Sequence, residues 1–496
     1  MRCPKCSRRP RPERVLLSLA LLSVFSSPTG ATPIEKLLLT HELTAEAEYY
    51  LVSPAQMRPP DGRWPRGFRL RVLQQAGSYW RVRAEDGTEA YVADENIRQL
   101  EDPYQSIRQD TSKLVSGNTE FALRLYRELR KDEGASLFFS PASLTTAFAM
   151  AAGGARGETQ RELADGLGLP WTTDRTHLAL AWFQQQVFPA SGQDQSDATK
   201  AAATDDYQLR MANRLYGQKG FPIRGTFLAL TRDYYKAEIS LVDFLQPGVA
   251  DQINQWVEHQ TAGKIENLVT DDMFNDRTRL VLVNAIYFYG RWSEPFVAGA
   301  TRDSPFYRAG GGQVSVPLMH RSATFGYSQQ DGVQILEMPY GKSKSVSMVV
   351  LLPEKRDGLE ELEARLDAAT LGKWLDQLRP RRVEVFFPKF RLEKRLMLAE
   401  PLKALGIRRA FDARAADFGG ITDRERLFVS AAVHQSFLDV NEQGTEAAAA
   451  TGIVFEATAA PVDQATFRAD HPFVFLIRHR PTGAILFLGR YMGPES

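Results

Sequence analysis

The chain has 496 residues, 43% of them hydrophobic and 24% charged, with a formal net charge of +1. This composition is globular and long enough for one large domain and a small one. The near-zero charge excludes a global pull toward nucleic acid or an anionic membrane surface.

At the N-terminus MRCPKCSRRPRPER is basic, VLLSLALLSVFSS is apolar over the length of a secretory leader, and Ser27 to Ala31 supplies small residues for cleavage. Residues 1–31 are therefore expected to be a signal peptide and the protein to be secreted into the extracellular space. The apolar run is too short for a membrane span, and no later stretch qualifies. Cys3 and Cys6 form a lone pair inside the expected leader, two ligands short of a zinc site. The rest of the chain has no cysteine, so an exported form must rely on its core and not on disulfides. It has no Asn-x-Ser/Thr glycan acceptor either.

Residues 40–101 read as short strands and turns. Phe68 to Val72 alternates apolar and basic residues, Trp80 to Arg83 does so again, Asp86-Gly87 signals a hairpin, and Tyr91-Val92 returns. A small all-β barrel is expected, and GSYWRVRAEDGTEAYVADENIRQL resembles the Src-homology-3-like modules of bacterial exported proteins. Arg58, Arg63, Arg66, Arg69, Arg71, Arg81 and Arg83 make the module locally basic. Such a face either docks an anionic cell-envelope polymer or a protein ligand, or is a solvated strand face. Glu101-Asp102-Pro103 has the charge and proline of a linker.

From about residue 110 helices and strands alternate. Asn118, Phe121, Ala122, Leu125, Tyr126 and Leu129 recur at helical spacing. Ser140-Pro141 opens a second helix, and Thr159 with Glu162 has the spacing of a capping box for a third. Residues 191–206 are polar and read as a disordered or surface insertion. INQWVEHQTAGKIENLV is an amphipathic helix stopping near Gly263. TRLVLVNAIYFYGRW is a long strand, almost wholly apolar except for Asn284, as expected in the middle of a covered sheet. SVSMVVLLPE and RRVEVFFPKF are further strands, PLKALGIRRAF is a helix, and a closing hairpin turns at Pro481-Thr482-Gly483.

The stretch 441–461, NEQGTEAAAATGIVFEATAAP, has conflicting local preferences. Thr445-Glu446 followed by four alanines suits a helix start, whereas Thr451, Ile453, Val454 and Phe455 favour a strand. On composition alone it reads as an alanine-rich linker, the alternative being a segment with two conformations. Local catalytic signatures are lacking: there is no G-x-S-x-G, H-E-x-x-H, Walker loop or dinucleotide fingerprint. Asp439-x-Asn441-x-x-Gly444 fails as a calcium loop because Ala450 stands where a bidentate Glu is needed.

In order along residues 110–493, SPASLTTAFAMAAGGARGET, INQWVEHQTAGKI, LVNAIYFYGRWSEPF, PKFRLE, AAVHQSFLDVNEQGTEAAAATG and HPFVFLIRHRPTG closely resemble the serpins. The resemblance implies an α+β serpin fold over residues 110–496, with a large mixed sheet and an exposed reactive loop. It implies a monomeric inhibitor, not an enzyme, whose partner is a target serine protease held as a covalent acyl complex, with no cofactor. The family's spacing makes Glu442, Gly444, Thr445, Glu446, Ala447, Ala448, Ala449 and Ala450 the hinge and Thr458-Ala459 the reactive bond. Ser140, Ser143, Asn284, Trp292 and His434 match the region where the sheet opens. No heparin-like cofactor is expected, because TDRTHLALAWFQQQVF has few basic residues. A non-inhibitory serpin serving as an extracellular carrier or binding protein is the competing expectation.

The residues themselves agree with insertion. Thr445, Ala447, Ala449 and Thr451 share one face at the two-residue period and are all small, while Glu446 lies on the other. Pro is absent from Glu442 to Ala460, so no ladder donor is lost. The small side chains around Thr458 suit a protease with a small primary pocket, elastase-like or subtilisin-like. Phe455 is the alternative bait for a chymotrypsin-like enzyme.

Overall fold

The computed structural model describes residues 34–53, 59–131, 134–187, 207–237, 239–424, 426–445 and 464–494. They lie within one compact unit, Thr32–Ser496. The expected insertion at 191–206, Arg58, Glu446 to Ala450 and the Thr458-Ala459 bond fall outside the described residues.

A single 3-10 turn, Ile34–Lys36, leads into seven strands: β1 (His41–Leu43), β2 (Ala47–Tyr50), β3 (Gly62–Trp64), β4 (Arg69–Ala76), β5 (Tyr79–Ala84), β6 (Glu89–Ala93) and β7 (Ile97–Gln99). They form an antiparallel sheet in the order β3-β2-β6-β5-β4-β1-β7. Gly87 makes the β5–β6 turn at φ +83, a left-handed value that glycine adopts without strain. Leu43, Trp64, Leu70, Val82, Ala90 and Val92 give the sheet a core of its own. The barrel expected here is corrected to an open sheet: no pairing among the described residues joins β3 to β7.

The basic face is largely paired off. Arg63 binds Glu48 at 2.8 Å and Arg81 binds Glu89 at 2.9 Å. Arg69 and Arg83 reach out of the sheet to Asp110 and Asp174 at 2.7 and 2.9 Å.

The expected linker is instead a helix cap. Asp102 accepts from the backbone N–H groups of Tyr104 and Gln105 at 2.8 and 3.0 Å, and Pro103 takes the first helical position of α1 (Pro103–Leu129). After β8 (Leu137–Phe139) come α2 (Pro141–Gly154), α3 (Gly157–Leu167) and α4 (Asp174–Val187). Ser140 caps α2, its hydroxyl accepting from Ser143 N. Being apolar all round, α2 is buried along almost its whole length. The capping box expected for α3 does not form. Thr159 Oγ1 accepts from Asp417 N at 3.0 Å, and Glu162 accepts from the backbone of Arg408 and Arg409 at 2.8 and 2.7 Å. Both side chains have tertiary partners that outcompete the local one.

The next strands are β9 (Tyr207–Gln218), β10 (Ile239–Val242), β11 (Leu280–Arg291), β12 (Arg302–Tyr307), β13 (Gln313–Gln330), β14 (Val333–Tyr340) and β15 (Val346–Pro353). Then follow β16 (Arg379–Pro388), β17 (Phe390–Met397), β18 (Val429–Asn441), β19 (Gly444–Thr445), β20 (Ala465–Arg468), β21 (Phe473–His479) and β22 (Ala484–Tyr491). Helix Gly225–Tyr235 precedes β10, and helix Val249–Gln260 follows it.

These strands form a six-stranded sheet, β10-β9-β11-β19-β18-β17, and a nine-stranded one, β20-β16-β13-β14-β15-β21-β22-β8 with β12 on β13. β11 is covered on both faces, which explains its apolar run. Leu280, Leu282, Ile286 and Phe288 point into the main core, while Val281, Val283, Ala285 and Tyr287 pack in a second cluster with Ile253 and Val257 of helix Val249–Gln260.

Candidate functional site

β11 and β18 run parallel and are paired from Leu280↔Val429 to Tyr287↔Phe437, with Asn284 directly opposite His434. Beyond Tyr287 the two strands part. Between them sits β19, antiparallel to both: Thr445 pairs with Gly290 and Val440, and Gly444 with Arg291 and Asn441. The start of the 441–461 stretch is thus a two-residue strand at the mouth of the sheet.

Gly444 is required by close approach. A Cβ there would lie 2.1 Å from the Gly290 carbonyl oxygen and 2.6 Å from Arg291 Cα. Thr445 is fully buried, and its hydroxyl is 2.8 Å from that of Tyr340. Burial pushes the Tyr340 phenol up, so it stays neutral. Trp292 stacks on Tyr340 at 4.4 Å between centroids, donates Nε1–H to Asn441 O at 3.0 Å, and donates its backbone N–H to Gln443 O at 2.9 Å.

Glu442 fixes the turn into β19. It accepts from Thr301 Oγ1 at 2.9 Å and Lys389 Nζ at 3.1 Å, and its carbonyl accepts from Phe296 N at 2.8 Å. Partial burial raises its pKa, but hydrogen bonds from its own backbone N–H, Lys389 and Thr301 outweigh this and leave the carboxyl below its ordinary range.

Lower down, a buried polar cluster ties the paired part of β11 and β18 to the start of α2. His434 Nε2 accepts from Ser140 N at 3.1 Å, which places the proton on Nδ1, where it is donated to Asn284 Oδ1. Asn284 Nδ2 donates to Ser143 Oγ at 2.6 Å and to Asn213 Oδ1 on β9. Ser140 Oγ donates to Leu486 O at 2.6 Å, and Ser436 Oγ to Phe138 O at 2.8 Å. Burial drives the His434 pKa down to about 3, so the ring is neutral at ordinary pH.

The structure therefore gathers the singled-out residues into two groups, Ser140, Ser143, Asn284 and His434 below and Trp292, Glu442, Gly444 and Thr445 above. Sequence reasoning missed Asn213, Thr301, Tyr340, Lys389 and Ser436. Each is a single polar residue in an unremarkable strand or loop, and only tertiary contact reveals its part. Neither group has the nucleophile–base geometry of a catalytic centre. Among the described residues no cluster of three or more His, Cys, Asp or Glu could hold a metal ion, and no helix is long and apolar enough to cross a membrane.

Comparison with known proteins agrees with this geometry. The family described as Serpin (serine protease inhibitor) matches residues 116–494. The leukocyte elastase inhibitor of Sus scrofa is 40% identical over 394 residues, covering 77% of this chain and 100% of that protein. Among solved structures, Serpin48 of the insect Tenebrio molitor is 31% identical with a TM-score of 0.66, covering 79% of this chain and 99% of that one. Human thyroxine-binding globulin complexed with its ligand is 30% identical with a TM-score of 0.68, covering 78% and 100%.

The chain belongs to the serpin family. It is a member of a family of protease inhibitors, which bind target serine proteases, and not an enzyme. The seven-stranded sheet lies wholly before residue 116, outside the family match.

Proposed function

We propose that this chain is a secreted suicide-substrate inhibitor of serine endopeptidases with small primary pockets, elastase-like or subtilisin-like. The observation that carries the reading is β19, already paired with both β11 and β18 in the orientation an inserting strand must take. The target's serine attacks the Thr458 carbonyl, the Ala459 amine departs, and Thr458 remains as an acyl ester on the protease. The released loop then extends β19 down the cleft.

Continued in the β19 register, Thr451 is six residues past Thr445. It comes to lie opposite the residues six before Gly290 and Val440, which are Asn284 and His434. Thr451 therefore takes the place of the direct Asn284–His434 contact. Thr445 faces the main core, so Ala447, Ala449, Thr451, Ile453 and Phe455 face it too, and Glu446 and Glu456 point the other way. The mixed preferences of the stretch resolve into a strand whose leading half is small enough to enter and whose trailing half is apolar enough to stay.

From Thr445 to Thr458 the strand spans roughly 45 Å. Its new hydrogen bonds supply on the order of 10 kcal/mol. Displacing a catalytic group by about 1 Å can cost a hundredfold in rate, so dragging the acyl-enzyme across the molecule halts deacylation.

The likeness to thyroxine-binding globulin supports the second reading, a non-inhibitory carrier. One incubation separates the two: a denaturant-resistant complex with an elastase-like or subtilisin-like protease, and none with a trypsin-like one, is expected. Clean loop cleavage without a complex selects the carrier.

A further inference from the structure

The seven-stranded sheet has its own core, yet it is joined to the serpin body through its central strands β4 and β5 and the β5–β6 turn. Just before it, Leu37 and Leu38, each 4% exposed, are buried in the body's main core. Arg69 of β4 binds Asp110 of α1 at 2.7 Å. Asp110 also receives Arg175 of α4 at 2.6 Å. Arg83 of β5 binds Asp174, the first residue of α4, at 2.9 Å. Asp174 also accepts from Tyr234 Oη of helix Gly225–Tyr235 at 3.3 Å. Gly87, in the β5–β6 turn, approaches Asp174 so closely that a Cβ would sit 3.0 Å from its carboxylate. The Asp110 and Asp174 side chains are 6% and 13% exposed, so these pairs escape much of the screening that makes surface ion pairs weak.

The three body elements held here pack on one another and, together with α2, reach both large sheets. α1 packs on β22 of the nine-stranded sheet. α4 packs on α1 itself, on α2 and on helix Gly225–Tyr235, and His177 of α4 is bonded to Tyr235 at 2.5 Å. α2 in turn packs both on β22 of the nine-stranded sheet and on β9 and β11, the half of the six-stranded sheet on one side of the β19 cleft. Admitting a strand between β11 and β18 widens their separation from one strand spacing to two, about 4.8 Å more. Such a shift would strain the packing through which α2 joins β9 and β11 to β22 and to α1 and α4.

We propose that the N-terminal sheet is a brace which cross-links α1 to α4 through Arg69 and Arg83 and so raises the barrier to opening of the six-stranded sheet in the uncleaved chain. The brace keeps the loop outside until a protease cuts it. This inference rests on the insertion reading above, and its test needs no protease.

The test is to hold the uncleaved full chain a few degrees below its unfolding temperature and follow the appearance of a species with a higher melting temperature, the sign of an added strand. The double substitution Arg69→Gln with Arg83→Gln is expected to convert about ten times faster than the unaltered chain. Arg63→Gln with Arg98→Gln removes the same charge from pairs that stay within the sheet and should convert at the unaltered rate. Asp174→Asn attacks the junction from the body side and carries the test if the first pair unfolds the sheet.

Conversion of both junction variants within twofold of the unaltered chain, or no heat-stable species from any of them, would overturn the brace. Failure of every protease to form a complex would instead overturn the inhibitory reading, while the heat-stable species still reports on the brace.

Discussion

The two ends of the β11–β18 pair are built from the same strands and differ in almost everything else. At the lower end the strands are directly paired and cross-linked by Asn284 and His434. At the upper end they are parted and filled by Gly444 and Thr445. The upper end needs a glycine for backbone approach and a small hydroxyl to meet Tyr340. The lower end holds neutral polar side chains that satisfy one another's hydrogen bonds in a buried site. On the insertion reading proposed above, the polar cluster is the first obstacle within the sheet, because the mouth is already occupied by the strand that would advance.

Each end can be perturbed separately. Thr445→Arg is expected to have the largest effect. It forces an unpaired guanidinium into a fully buried site at the mouth, and the yield of covalent complex should fall by about a hundredfold while the loop is still cut at an unchanged rate. Unaltered complex yield in a gel assay would refute the entry argument. His434→Ala acts at the lower end, leaving Ser140 N–H and Asn284 Oδ1 without their partner. A loss of about 3 kcal/mol in urea unfolding is expected, with the ability to form a complex retained, since the ring has no catalytic part.

The pH dependence follows from the buried imidazoles. His434 and His177 are held down to about 3 and about 4, below the 6.5 of an unfolded histidine. The unfolded chain therefore binds more protons than the folded one between those values and 6.5. Stability from these two rings is fully present above pH 6.5 and falls as the pH drops. Between pH 6.5 and 5 each should lose about 2 kcal/mol, read from denaturation midpoints at the two pH values. His434→Ala should remove its share of this slope.

Lys389→Met is expected to have the smallest effect, about 1 kcal/mol. The lysine side chain is 44% exposed, and Glu442 keeps its bond to Thr301. A much larger loss would mean that the turn into β19 depends on the ion pair more than its exposure implies.

Most of the serpin body was legible in the sequence because its signals are periodic or local. The apolar run with one Asn predicted a covered strand, Ser140-Pro141 predicted a helix start, and Pro481-Thr482-Gly483 predicted the last hairpin, closed by Gly483 N donating to His479 O at 2.9 Å. The misses share one cause. Thr159 and Glu162 have the spacing of a local cap, but backbone donors from Asp417, Arg408 and Arg409 claim both. The alternating strands of the N-terminal module promised closure, yet closure depends on which edges meet, and hairpin signals do not encode that. Its arginines read as a basic face, and their acidic partners lie up to 91 residues away.

By itself the sequence determined the order of the elements, the family, and the small-residue composition of the stretch after Glu442, because each is written in side-chain type and spacing. Only the tertiary structure decided that Gly444 and Thr445 occupy the mouth of the cleft, that Asn284 meets His434 across it, and that Arg69 and Arg83 grip α1 and α4. Those contacts join residues far apart in the chain, and their energies come from burial and close approach, which exist only once the sheets and helices are assembled.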